Sequence, residues 1–233
     1  MISRAGKAGN KVTTRRYNLS DSNKNGPLIT KEDFSIYCRL LYDRHLVTGV
    51  GGNLSIRAGN KILITPSGYS LRDVTTDRIV TINKKGETLN RIIPTKDWKM
   101  HVGILEESPE INAVCHVHGP SVIALSFLLE PGPNTLPPIT PGFVFFSYPL
   151  PMIPFMVPGS DAFTEAVVNQ FINTKCTALL LQNHGLVTVG GNFYEALNIA
   201  EEIDEAATIY LLTKEKVRTL SESNIESIKS YKI

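Results

Sequence analysis

Two histidines one residue apart, His116 and His118, close the stretch Ile111-Asn112-Ala113-Val114-Cys115-His116-Val117-His118. The stretch reads as a short buried strand, in which side chains alternate between faces, so both imidazoles point the same way. Their Cα atoms then lie roughly 6.5–7 Å apart, within reach of one ion. The opposite parity, Ile111, Ala113, Cys115 and Val117, is apolar and suits a core. Two imidazoles hold a divalent cation poorly. Of the remaining histidines (His45, His101 and His184), the expected third ligand is His184, in Gln182-Asn183-His184-Gly185, where an apolar run meets a turn.

A carboxylate in reach of such a site could move protons. Asp97 is the candidate, at the start of a helix for which Thr95 is the expected N-cap; the alternative is that Asp97 only stabilises the first helical turn. His101 shares the Asp97 face one turn on and reads either as a metal-linked group or as a structural histidine. Upstream, Thr48-Gly49-Val50-Gly51-Gly52-Asn53 has three glycines in four positions. Their bare N–H groups could cradle phosphate or carboxylate oxygens; the stretch could equally be a plain glycine-rich turn before a strand. Thr65-Pro66-Ser67-Gly68 is a second loop with small donors.

Around these residues the pattern alternates helix and strand. A helix is expected over about 30–46, capped by Thr30 and buried through Phe34, Cys38 and Leu41, with His45 at its C-terminal end. A hairpin over 54–57 and 61–65, a short helical turn over 73–77 and a strand over 79–83 follow. After the histidine strand come a helix over 121–129 opened by Pro120 and a proline-crowded stretch over 130–160. That stretch excludes a long helix or central sheet and fits short edge strands near 142–146 and 152–155. Helix 161–173, strands 178–181 and 186–189, and a long helix from Asn192 to about Lys216 complete the pattern. Asn192 and Glu195 suggest a capping box there, and Glu201, Glu202, Asp204 and Glu205 read as its wet face.

A net charge of +2 over 233 residues is too small to point to nucleic acid or an acidic membrane surface. No run is long enough to span a bilayer, and the basic, polar N-terminus has no secretory h-region. Residues 1–29 read as a flexible arm and residues 30–233 as one domain. Cys38, Cys115 and Cys176 lack metal-type spacing and suit buried thiols in a reducing cytoplasm.

Taken in order, Gly52-Asn53-Leu54-Ser55, Thr65-Pro66-Ser67-Gly68, Pro94-Thr95-Lys96-Asp97, His116-Val117-His118 and Asn183-His184-Gly185 resemble the class II aldolase/adducin family. The resemblance implies a three-layer α/β/α fold with a central, mostly antiparallel sheet, assembled as a homotetramer with active sites at subunit interfaces. It implies that His116, His118 and His184 bind Zn2+, or another divalent ion such as Mn2+ or Co2+. Asp97 stands where the family places a glutamate acid/base. Gly52, Asn53, Ser67, Gly68, Thr95 and Lys96 would form the phosphate pocket. The implied activity is an aldolase acting on a phosphorylated ketose or related 2-oxo compound through a metal-stabilised enediolate. Lys96 and the proline segment look more like the family's 3-oxo-tetronate 4-phosphate decarboxylases, so decarboxylation of a phosphorylated keto acid is the alternative. A non-catalytic adducin-like module is the third reading. The tyrosine that assists protonation in fuculose-phosphate aldolase has no clear counterpart; Tyr148 and Tyr231 are the substitutes available.

Overall fold

The computed structural model describes residues 29–213 and 216–231. Its strands are β1 (Asn53–Ala58), β2 (Lys61–Ile64), β3 (Val80–Ile82), β4 (Ala113–Val117), β5 (Met152–Ile153), β6 (Ala178–Leu181) and β7 (Gly185–Gly190). The helices are α1 (Lys31–Asp43), α2 (Trp98–Glu107), α3 (Pro120–Leu128), α4 (Pro141–Ser147), α5 (Asp161–Thr174), α6 (Phe193–Leu212) and α7 (Glu222–Ser230). The strands form one sheet in the order β3-β2-β1-β4-β7-β6-β5. Every pairing is antiparallel except β5 with β6.

Because strand side chains alternate, the sheet separates two apolar cores. Leu54, Ile56, Ala113, Cys115, Val117, Leu180 and Leu186 face the layer containing α1, α3, α4 and α6. Ile62, Ile64, Val114, Leu179, Val187 and Val189 face α2 and α5, which supply Met100, Ile104, Phe163, Val167 and Phe171. The architecture is therefore the expected three-layer α/β/α. Ile111 departs from the expected parity. It precedes β4 and packs with the α2/α5 core.

Several elements differ from expectation. Residues 142–146 belong to α4, not to an edge strand: Thr140 accepts from the Phe143 N–H and Pro141 opens the helix. A hydroxyl N-cap followed by proline is a helix start, and the density of prolines nearby obscures it. The helix after Thr95 begins only at Trp98, with Asp97 in the cap position but making no side-chain cap bond. Asn192 caps α6 by accepting from the Glu195 N–H, but the Glu195 carboxylate accepts from Gly191 N rather than closing a box on Asn192. That helix stops at Leu212, short of Lys216. The short helical segment near 73–77 is a 3-10 turn at Leu71–Asp73.

The acids of α6 are not a simple wet face. Glu201, Glu202 and Asp204 are half-buried, and only Glu205 is exposed. Burial raises the Glu202 and Asp204 carboxyls above their ordinary range, and neighbouring acids add to the effect at Glu202. The N-terminal arm, Ile29 excepted, lies outside the described residues, and Ile29 packs against the α1 side of the sheet.

Candidate functional site

The centre of the sheet places the three candidate ligands together. His116 is opposite Asn53 on β1 and Val187 on β7, and directly opposed residues share a face. His118 follows the end of β4, its N–H donating to the Leu46 carbonyl at 2.8 Å. His184 sits in the turn between β6 and β7. That turn needs Asn183 at φ 58°, a left-handed conformation that asparagine tolerates. Asn183 N–H donates to Ser126 Oγ at 3.0 Å, which ties the turn to α3. Gly185 lets β7 begin against the end of β4: a Cβ there would stand 2.4 Å from the Val117 carbonyl oxygen and 2.9 Å from His118 Cδ2.

The His116 Nε2 atom lies 2.9 Å from His118 Nε2 and 3.2 Å from His184 Nε2. Four-coordinate zinc with Zn–N bonds of 2.0–2.1 Å would hold its nitrogens about 3.3 Å apart, close to this spacing. His116 Nδ1 lies 3.1 Å from the Leu186 carbonyl, which can only accept. The His116 proton is therefore on Nδ1 and the Nε2 lone pair faces the other two rings. Burial pushes the His116 pKa well below its ordinary value, that of His118 down to about 4, and that of His184 downward. Neutral imidazole is the ligating form. Donor type, convergence and protonation all fit a divalent ion held by these three residues. Among the described residues this is the one group of three or more His, Cys, Asp or Glu side chains with that convergence.

Asp97 is 8% exposed and accepts from Asn53 Nδ2 at 2.9 Å. This bond explains the missing helix cap: the carboxylate turns toward the sheet rather than back to its own helix. Because Asn53 pairs with His116, Asp97 is held on the triad's side of the sheet. Its charge raises the pKa of His118 and His184 against the larger effect of burial.

The other candidate binding residues cluster on the same edge of the site. Thr95 N–H donates to the Thr65 carbonyl, and Ser67 N–H to the Ile93 carbonyl, both at 3.0 Å. Thr65 in turn bonds Leu54, next to Asn53, through N–H to carbonyl at 3.1 Å. These links tie the 65–68 and 93–96 segments to the strand that begins at Asn53. Thr95 is buried, Ser67 half-buried, and Gly68 and Lys96 exposed. The glycine turn has a packing reason. A Cβ on Gly51 would stand 2.6 Å from His118 Nδ1, and one on Gly52 would stand 2.9 Å from the His116 carbonyl oxygen.

His101 is not among the converging imidazoles. It is fully buried between Ser55, whose Oγ is 2.7 Å from Nδ1, and Asn53, whose Oδ1 contacts Nε2. The link through Ser55 lies outside the expectations drawn from the sequence. The available signal is the spacing of Ser55 and Asn53, two apart on one strand and so on one face. Tyr148 is half-buried and packs against the core on the other side of the sheet, its hydroxyl accepting from Asn134 Nδ2 at 2.9 Å. Tyr231 is 70% exposed.

Comparison with known proteins gives a consistent picture. The family profile described as Class II Aldolase and Adducin N-terminal domain matches residues 32–211. The 3-oxo-tetronate 4-phosphate decarboxylase of Haemophilus influenzae is 32% identical over 196 residues, covering 82% of this chain and 92% of that protein. The L-fuculose phosphate aldolase of Methanococcus maripaludis is 35% identical over 179 residues, covering 76% and 93%. The crystal structure of YgbL from Escherichia coli superposes with a TM-score of 0.81 at 28% identity, covering 86% of this chain and 97% of that one.

Proposed function

This chain belongs to the class II aldolase/adducin family, and from that premise we propose that it is a divalent-metal-dependent carbon–carbon lyase acting on a small phosphorylated oxo compound, with reversible aldol cleavage as the assigned reaction. The observation that carries the reading is the convergence of three neutral imidazoles at His116, His118 and His184 beside a buried carboxylate. A divalent ion such as Zn2+ held there would supply the positive charge that polarises a substrate carbonyl and offsets the negative charge developed as the adjacent bond breaks.

The chain's own residues do the rest. Asp97 exchanges the proton with the substrate carbon, held for that task by Asn53. The N–H groups and hydroxyls of Gly52, Asn53, Ser67, Gly68 and Thr95 receive the phosphate, with Lys96 supplying a cation at its exposed margin. Gly159 borders that margin: a Cβ there would lie 3.7 Å from Lys96 Cβ and 3.9 Å from Asp97 Oδ1, in ordinary contact with both.

Decarboxylation of a phosphorylated 3-oxo acid is a second reading, supported by two observations. Lys96 adjoins Asp97, where a second anionic group on the substrate could be met. Aldol cleavage also needs a group that takes the proton from the hydroxyl that becomes the departing aldehyde's carbonyl, and returns it in the condensation direction, whereas carbon dioxide leaves without one, and Tyr148 lies on the far side of the sheet. Assembly as a homotetramer is part of the proposal, supported by the exposed apolar side chains Phe127, Leu128, Phe155 and Val157. Residence in the cytoplasm is supported by three free thiols, and no helix among the described residues is long and apolar enough to cross a membrane.

The test is hydrogen–deuterium exchange into dihydroxyacetone phosphate by metal-loaded protein, with a chelated control. It is run beside an assay of carbon dioxide release from a 3-oxo acid phosphate. Metal-dependent exchange supports the aldolase. Release of carbon dioxide without exchange supports the decarboxylase, and neither activity in protein of confirmed metal content would refute the lyase.

A further inference from the structure

Four buried polar side chains stand in file beside the triad, and with Asp97 ionised one set of proton positions satisfies them. The carboxylate of Asp97 has no proton to give, so Asn53 must present Nδ2–H to Asp97 Oδ2. The other end of the amide, Oδ1, then faces His101 Nε2 and can only accept, which puts the ring proton on Nε2. His101 Nδ1 is left bare and accepts from Ser55 Oγ–H at 2.7 Å. Ser55 and His101 are 0% exposed and Asn53 5%, so solvent offers no easy replacement for a lost partner. The backbone reinforces the file, since His101 N–H donates to the Asp97 carbonyl one helical turn earlier.

We infer that His101 is a positioning residue that acts through Asn53, holding Asp97 Oδ2 as a hydrogen-bond acceptor so that the proton moved in turnover is carried on Oδ1. The inference rests on the acid/base role proposed for Asp97. A proton on Oδ2 would point at Nδ2–H. To accept it, the Asn53 amide would have to flip, and its NH2 would then meet the proton on His101 Nε2. The ring would have to change tautomer and Ser55 would have to become the acceptor. Protonation at Oδ1, the oxygen nearer Gly159, requires none of these changes. Burial also holds the His101 pKa down to about 4, against the opposing charge of Asp97, so the ring keeps the one donor and one acceptor that the file requires.

Magic-angle-spinning 15N NMR of the full-length, histidine-labelled protein reads each ring's tautomer, with the His101 signals identified by their loss in His101→Gln. We expect neutral His101 with its proton on Nε2; a proton on Nδ1 overturns the inference. This readout needs no substrate, so it stands or falls separately from the lyase assignment. The kinetic arm compares His101→Gln, which can still offer an N–H toward Asn53, with His101→Leu, which cannot, at equal bound metal. The leucine variant should lose kcat by roughly 100-fold with KM held within about 3-fold, and the glutamine variant should recover to within about 10-fold of the parent. Equal losses in the two variants would refute positioning through the Nε2 proton. If the parent itself turns over neither an aldol nor an oxo-acid substrate, the lyase reading fails and the carriage of a catalytic proton on Oδ1 fails with it, while the tautomer still decides whether His101 and Asn53 hold Asp97 Oδ2 as an acceptor.

Discussion

Alanine at Gly49, Gly51 or Gly52 perturbs one loop in three different ways, and the differences can be worked out from the structure. Gly49 has φ 55° and open space around an added Cβ. Its alanine variant meets only the left-handed backbone penalty, about 1 kcal/mol. Gly52 has φ 77°, and its Cβ would stand 2.3 Å from Val47 Cγ1 and 2.9 Å from the His116 carbonyl oxygen. Valine is short and stiff and the carbonyl belongs to the central strand, so neither yields cheaply. Overpacking of this kind adds about 1–3 kcal/mol, for a total of roughly 2–4 kcal/mol. At about 2–4 °C per kcal/mol for a chain of this size, Gly49→Ala should lower Tm by roughly 3 °C and Gly52→Ala by roughly 10 °C. Gly51 differs again. Its Cβ would meet a movable group, the His118 ring, at 2.6 Å from Nδ1. Gly51→Ala should therefore cost under about 1 kcal/mol of folding stability but weaken metal binding on the order of 10–100-fold, as displacement of a ligand's surroundings does. Urea unfolding of chelator-treated protein measures the first quantity, and competition with a chromophoric zinc chelator the second. Equal stability losses at Gly49 and Gly52, or unchanged metal affinity in Gly51→Ala, would refute the packing argument.

Metal-free protein should lose stability on acidification. His101 and His118 titrate near 4 in the fold, and His116 and His184 are also lowered, all against an ordinary value of 6.5. Between those limits the unfolded chain binds more protons, so stability rises with pH across about 4 to 6.5, by at most about 1.4 kcal/mol per pH unit for each histidine; a urea midpoint that is flat between pH 7.5 and 5 would contradict this. Gly86→Ala should shift the fluorescence of Trp98, the chain's one tryptophan, because a Cβ at Gly86 would lie 1.9 Å from its ring. Gly68→Ala, with φ 76° but open surroundings, should leave the emission unchanged. Asp97→Asn can still accept from Asn53 Nδ2, so metal content and stability should hold to within about 1 kcal/mol. Turnover should fall by about 10²–10⁴-fold, and near-normal rates would remove Asp97 from the chemistry.

Local chemistry made much of this protein legible in the residues alone. Alternation across β4 announced that His116 and His118 share a face and that Ala113, Cys115 and Val117 face the other core. Thr30 before an amphipathic run announced α1, and the Asn183-His184-Gly185 turn announced a third imidazole where two strands meet. These signals depend on neighbours in the chain, which the sequence lists directly. What they could not decide was which distant groups satisfy which buried polar atoms. Thr95 looked like a helix cap, but its backbone pairs with Thr65 and the helix starts three residues later. The acids of α6 looked solvated, but Asp204 lies against Gly119 at the start of α3, where a Cβ would stand 2.6 Å from Oδ1. His101 looked equally suited to a metal link or to structural service, and only the approach of α2 to β1 gave it Ser55 on one nitrogen and Asn53 on the other. Residue types and short spacings determined the candidate ligands and the layers. The tertiary fold decided the hydrogen-bond partners, because a buried donor or acceptor must be matched in space and its match is seldom a neighbour in sequence.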